Sequence, residues 1–166
     1  GETAEVARVV EFADQNQLSI VPMGGNTGLT GATRAQDSIV ISLERMSKIR
    51  KIGKDAKIAI VEAGAILSNV HAAADDHDLV FPLTFGAKGS ATIGGVIGTN
   101  AGGSNVLRYG NTRDLVLGLE VVTPTGRVMD LMSELHKDNS GYNLRNLIIG
   151  AEGSLGIVTA AVLKLA

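Results

Sequence analysis

Val6, Val9, Val10 and Ala13 recur at helical spacing near the start of the chain, which predicts an amphipathic helix over residues 3–16. Short apolar runs follow at LSIVP (18–22), SIVISL (38–43) and KIAIVEAG (57–64), each of strand length. ILSNVHAAADDHD (66–78) returns to a helical spacing, with Ile66, Val70 and Ala73 or Ala74 turned inward. LVFPL (79–83) reads as extended chain. Two apolar runs between 114 and 131 flank the turn PTG, where Gly126 suits a positive φ, and so predict a β-hairpin. GYNLRNLIIG (141–150) predicts a short helix stopped by Gly150, and GIVTAAVLKL a last strand. Three strands, a helix, a hairpin, a helix and a strand suit an α+β fold better than a regular βαβ wind.

Composition changes this picture at one point. The chain has 166 residues, enough for one domain with a working core, and 21 of them are glycine, about twice an average share. The glycines cluster at 24–31, 86–103, 110–126 and 150–156. Net charge is −2 with both signs interspersed, and there is no tryptophan, so neither a basic stripe nor an aromatic platform suggests a nucleic-acid partner. The lack of cysteine excludes disulfides, thiolate-held metal and a thiol nucleophile. No apolar run approaches membrane-spanning length, and the first residues lack a signal-peptide pattern. The chain starts within a helical pattern and stops at the end of a strand, so it reads as a piece of something longer.

VPMGGNTGLTG (21–31) leaves a strand and enters a loop whose successive amides could form a concave anion site. Gly24, Gly25, Gly28 and Gly31 do not fit the dinucleotide spacing G-x-G-x-x-G, and no Walker A lysine follows. FGAKGSATIGGVIGTNAGG (85–103) carries the neutral hydrogen-bonding groups Ser90, Thr92, Thr99 and Asn100, with Lys88 its one charge. GAEGSLGI (150–157) carries a lone carboxylate, Glu152. Each cluster alone reads equally well as a plain turn. Three together, at strand or helix junctions, point to one long ligand lying over exposed backbone, for which a dinucleotide with a central pyrophosphate is suitable. Glycine costs conformational entropy on folding, which counts against a purely structural role for all three.

Acid–base chemistry is sparse. His71 and His77 lie six apart, not at the i, i+4 spacing of a metal pair, and Asp75, Asp76 and Asp78 read as a solvated helix end. His136 falls in a polar loop. No nucleophile–base arrangement is legible, so no catalytic and no metal-binding residue is assigned. The chain reads as a cofactor holder, with redox chemistry residing in the cofactor.

The loops have a familial likeness. VPMGGNTGLTG resembles the first phosphate loop of the FAD-linked oxidases with a PCMH-type (vanillyl-alcohol-oxidase-type) FAD-binding domain. PLTFGAKGSATIGGVIGTNAGGSNVLRYG is similar to their longer flavin loop, and KDNSGYNLRNLIIGAEGSLGIVT to the element before the substrate domain. The wording is nearest the D-2-hydroxyglutarate, D-lactate and glycolate dehydrogenase branch, and the likeness covers essentially the whole chain. It implies a two-lobed α+β FAD-binding domain over 1–166, lobe one about 1–85 and lobe two about 86–166, with the family's cap domain absent.

By the same resemblance, the backbone of Met23, Gly24, Gly25, Asn26, Thr27 and Gly28 would hold the FAD pyrophosphate, and Pro22 before them also counts as cofactor-binding. Gly89, Ser90, Thr92, Gly94 and Gly95 would line the ribityl and phosphate path, and Thr99, Asn100, Ala101, Gly102 and Gly103 would continue it. Tyr109 and Gly110 would close that wall, Pro82 and Leu83 would pack near the flavin, and Glu152, Gly156 and Ile157 would meet the nucleotide end. Members with covalent flavin often carry His where this chain has Asn26, and there is no cysteine for a second link, so FAD is expected to be non-covalent.

The implied enzyme oxidises a small 2-hydroxyacid to the 2-oxoacid by hydride transfer to FAD, with the substrate groups on the missing cap. Electrons would pass to a quinone, a cytochrome or an electron-transfer flavoprotein. An apolar face left open by the missing cap can drive a homodimer. The expected location is the cytoplasm or a membrane periphery, mitochondrial in a eukaryote. A non-catalytic flavin-binding subunit and another member of the superfamily, such as an ether-lipid synthase or a sugar oxidase, stand as alternatives.

Overall fold

A computed structural model describes residues 1–166. The chain opens with α1 (Thr3–Gln15), started by the Glu5 carboxylate accepting the Glu2 N–H at 3.1 Å. Val6, Val10 and Ala13 are buried, but Val9 is 39% exposed, so the apolar face is narrower than the spacing suggests. β1 (Ser19–Met23) and β2 (Ser38–Ser42) pair in parallel, Ser19 against Ser38 and Met23 against Ser42. A parallel pair needs a long connection, and residues 24–37 supply it without a helix. That connection contains the whole first glycine cluster.

The remaining strands form one antiparallel sheet. β3 (Ile49–Gly53), β4 (Ile58–Glu62), β5 (Val116–Val122), β6 (Val128–Leu131) and β7 (Ile157–Lys164) lie in the order β3-β4-β7-β5-β6. β7 is central and is buried at every position from Ile157 to Leu163, which accounts for its nearly unbroken apolar run. β5 and β6 make the expected hairpin, with Gly126 at φ +79° in its turn. β3 has no counterpart in the apolar pattern. It is an edge strand whose Arg50 and Lys51 are adjacent, and a register shift between Ile49 and Lys51 breaks the alternation.

α2 (Leu67–Asp75) is the expected second helix, with Leu67, Val70 and Ala74 buried and Ile66 only partly so. His77 lies beyond its end. The second glycine cluster is not a bare loop. A 3₁₀ turn at Gly86–Gly89 leads to α3 (Ile93–Gly98), whose Ile93, Val96 and Ile97 are buried. Three short helices follow: α4 (Val106–Tyr109), α5 (Thr112–Leu115) and α6 (Arg145–Ile148), the last shorter than the 141–150 expectation.

A boundary between lobes near residue 85 does not match the sheets. β3 and β4 precede it, yet β4 pairs with β7 from Ile58–Lys164 to Glu62–Ala160. The break between sheets falls between β2 and β3, and β4 finds its second hydrogen-bonded neighbour only in the last strand of the chain. One core of buried side chains runs through both sheets, including Ile41, Leu43, Val61, Phe81, Ile97, Leu119 and Leu163.

Candidate functional site

The three glycine segments converge on one cleft of about 960 Å³, counting the part open to solvent. One wall is the end of β1 and the connection after it, from Pro22 to Gly28 with Thr30, Ala32 and Thr33. The second is Thr92 and α3, and the third is the turn Glu152–Gly153 with the start of β7. Leu43, Ala63, Ile148 and Val158 add an apolar lining.

Glycine is required where these walls touch each other. A Cβ on Gly24 would lie 2.5 Å from Thr92 Oγ1, and one on Gly153, at φ +84°, would lie 2.3 Å from Pro22 Cγ. These glycines seam protein to protein, a different use from leaving room for a ligand. Gly28 has nothing within 4 Å of its Cβ position and stands open.

The polar character of the cleft lies mostly in its backbone. None of the amides of Gly24, Gly25, Asn26, Thr27 and Gly28 donates to a protein acceptor. Five successive donors at the lip of a cleft can therefore take an anionic or carbonyl oxygen. Asn26 adopts φ +50°, and its Oδ1 accepts the Thr33 hydroxyl at 2.6 Å, which clasps the loop upon itself. Thr92 Oγ1 faces the Gly95 amide at 3.4 Å, and Thr99 Oγ1 donates to Gly95 O at 3.0 Å. Glu152 is the one ionisable residue in the lining; it is exposed, adopts φ +51°, and donates its own amide to Gly98 O at 3.0 Å. The arrangement can hold a long polar ligand by hydrogen bonds, with one carboxylate to accept from a hydroxyl or amine.

Pro22, Met23, Gly24, Gly25, Asn26, Thr27, Gly28, Thr92, Gly94, Gly95, Thr99, Glu152, Gly156 and Ile157 all line this cleft. Pro82, Leu83, Gly89, Ser90, Asn100, Ala101, Gly102, Gly103, Tyr109 and Gly110 do not. Ser90 stands just behind the lining, with its carbonyl oxygen under Gly25. Leu83 is a core residue, 2% exposed, whose carbonyl meets His71 Nε2 at 2.8 Å. Pro82 O accepts Asn105 Nδ2 at 3.0 Å, and Thr84 O accepts the Ser104 amide at 2.9 Å, so 82–84 and 103–105 hold each other. Asn100 Oδ1 accepts the Arg113 amide at 3.0 Å, and Ala101 O accepts both the amide and the hydroxyl of Thr112. Gly110 (φ +79°) ends α4, with Asp114 Oδ2 2.2 Å from its Cβ position.

Thr30, Ala32, Thr33, Leu43, Ala63, Gly98, Ile148, Gly153 and Val158 line the cleft without having been singled out from the sequence. Gly98 and Gly153 lie inside the quoted clusters and could have been chosen on that ground. The apolar members carry no local signal, since a core residue beside a cleft reads like any other core residue.

Comparison with known proteins agrees with the loops. The family described as an FAD binding domain matches residues 1–132. A D-2-hydroxyglutarate dehydrogenase of Xanthomonas citri pv. viticola is 48% identical over 166 residues, covering 99% of this chain and 35% of that protein. The mitochondrial D-2-hydroxyglutarate dehydrogenase of Arabidopsis thaliana is 46% identical over 158 residues, covering 95% and 28%. Among solved structures, an alkyldihydroxyacetonephosphate synthase superposes with a TM-score of 0.86 at 27% identity, over 98% of this chain and 30% of its own. The chain thus spans about a third of the length of these relatives.

Proposed function

The chain belongs to the FAD-binding domain family, and on that premise we propose that it serves a flavin-dependent D-2-hydroxyacid dehydrogenase by holding FAD non-covalently. The observation that carries this reading is the row of amides from Gly24 to Gly28 at the lip of a glycine-seamed cleft. The donor set fits the cofactor. A pyrophosphate is an acceptor-only group, and backbone N–H groups can hold it without a lysine or arginine, neither of which lines the cleft.

In this reading Met23 to Gly28 receive the pyrophosphate, and Thr92, Gly94, Gly95 and Thr99 border the path of the chain that joins it to the ring. Glu152 accepts hydrogen bonds from hydroxyl or amino groups at the nucleotide end, where its negative charge also disfavours a further phosphate. Leu43, Ala63, Ile148 and Val158 exclude water from one side of the ligand. Asn100, Ala101, Gly102, Gly103, Tyr109 and Gly110 belong to the surface only through the family resemblance, and Asn100 Oδ1 and Ala101 O are engaged in holding α5. Asn26 offers no nucleophile for a covalent link, and its side-chain oxygen is already engaged by Thr33.

Bound FAD supplies the hydride acceptor, so that a D-2-hydroxyacid losing a hydride from its α-carbon and a proton from its hydroxyl leaves as the 2-oxoacid. The proposed substrate class follows the D-2-hydroxyglutarate dehydrogenases at 46% and 48% identity rather than the synthase at 27%. A quinone, a cytochrome or an electron-transfer flavoprotein is the proposed acceptor. The proposed location is mitochondrial for a eukaryotic chain, as in the plant relative's name, and otherwise the cytoplasm or a membrane periphery. No helix here is long and apolar enough to cross a membrane.

A titration with FAD tests the reading. Saturable binding, seen by flavin fluorescence and a rise in thermal midpoint with ligand concentration, is the expected result. A protein that binds neither FAD nor FMN at micromolar concentrations overturns it. Reduction of a dye acceptor by D-2-hydroxyglutarate or D-lactate, with a chain of the relatives' full length, separates an enzyme from a flavin carrier.

A further inference from the structure

Arg113 lies outside the cleft but is tied to the segment that closes it. It sits in α5, half-buried, and no carboxylate lies within ion-pair distance of it. Its Nη1 donates to Asn146 O at 2.5 Å and its Nη2 to Ile149 O at 2.6 Å. Its own amide is shared between Asn100 Oδ1 at 3.0 Å and Asn111 Oδ1 at 3.1 Å. One side chain therefore joins α5 to the end of α6 and the turn after it.

That turn leads directly to the third wall. Gly150 (φ +87°) donates its amide to Ile97 O at 3.0 Å, and Glu152 donates to Gly98 O at 3.0 Å. A Cβ at Gly150 would lie 3.4 Å from both Arg113 Nη2 and Asn100 Cβ. Gly153 then abuts Pro22. We propose that Arg113 is a positioning residue for the cofactor cleft: its fork holds the carbonyls of Asn146 and Ile149 so that the Glu152–Gly153 turn stays against α3 and Pro22. The proposal rests on the cleft being the FAD site. Arginine suits the task because its planar fork serves two carbonyls at once, whereas a lysine is a point charge on a flexible stem.

The test pairs amide hydrogen exchange on the ligand-free protein with FAD titration of wild type, Arg113→Met and Arg113→Lys. In Arg113→Met the amides of Gly150 and Glu152 are expected to exchange at least tenfold faster, while those of β4 and β7 keep their rates. Its FAD dissociation constant is expected to rise about tenfold or more, and the visible circular dichroism of the bound flavin to change; Arg113→Lys falls between. Unchanged exchange at Gly150 and Glu152, or faster exchange that extends to β7, overturns the proposal. So does a loosened turn with an FAD affinity within twofold of wild type. If Arg113→Met does not fold, Arg113→Lys decides on the same criteria with a smaller expected change. A wild-type protein that fails to bind FAD overturns the cofactor reading and the affinity half of this proposal, while the exchange rates decide the staple separately.

Discussion

A β-carbon on Gly25 would lie 1.9 Å from the carbonyl oxygen of Ser90. The first glycine loop thus rests directly on the backbone that leads into α3, and two segments far apart in sequence form one continuous wall. Gly25→Ala forces those backbones apart, at a cost of about 1–3 kcal/mol of stability. Gly28→Ala meets nothing within 4 Å and should be neutral or stabilising by up to about 1 kcal/mol. Thermal unfolding of the two ligand-free variants checks the contrast, and equal losses would deny the seam.

Gly94 and Gly102 belong to the same cluster but differ in surroundings. A Cβ on Gly94 would lie 2.9 Å from the Ala63 β-carbon, and the Gly94 amide donates to Ala63 O at 2.7 Å. Gly102 lies outside the cleft, with its nearest neighbour 4.0 Å from the Cβ position. Gly94→Val is expected to abolish FAD retention and lower stability, and Gly102→Val to retain FAD within about fivefold of wild-type affinity. Fluorescence titration of both variants decides; equal loss would place Gly102 in the cofactor path after all.

His71→Ala removes the contact between Nε2 and Leu83 O but touches no lining residue. The expected cost is about 1 kcal/mol in stability, from one hydrogen bond at a half-buried site. FAD affinity should stay within twofold. A tenfold loss of affinity in the folded variant would bring α2 into the site.

Asp138 is held below the usual carboxylate range, first by the Ser140 hydroxyl and then by the Ser140 amide, which donates at 2.9 Å. Because the folded pKa is lowered, any stability from this turn is present at neutral pH and is lost as pH falls through the folded value. Ser140→Ala should raise the Asp138 pKa toward its ordinary value, as read by carboxyl NMR titration. Neither residue lines the cleft, so FAD affinity at neutral pH should not change. An unmoved Asp138 titration would show that the Ser140 hydroxyl is not its partner in solution.

Much of the fold was legible because burial leaves a period. The helix over 3–16, the hairpin about Gly126 and the last strand all appear where the apolar pattern predicts them. β3 escaped because an edge strand with adjacent Arg50 and Lys51 has no alternation to read. α3 escaped because Gly94 and Gly95 argue against a helix interior; Ile93, Val96 and Ile97 packed into the core, with Thr92 capping the first turn, hold it helical.

The sequence by itself determined the chemistry available: loops rich in glycine and poor in charge, short hydroxyl and amide side chains, one Lys88 in the second cluster and one Glu152 in the third, and no thiol. Their wording was also enough to place the loops in an FAD-binding family. Only the tertiary structure decided which residues share the cleft. β7 had to pair between β4 and β5 before Glu152 could reach α3, and a strand partner one hundred residues away leaves no local trace. The fold likewise made Leu43, Ala63 and Val158 cleft lining and set Asn100 Oδ1 and Ala101 O against α5, because a side chain's role follows from what the chain folds against it.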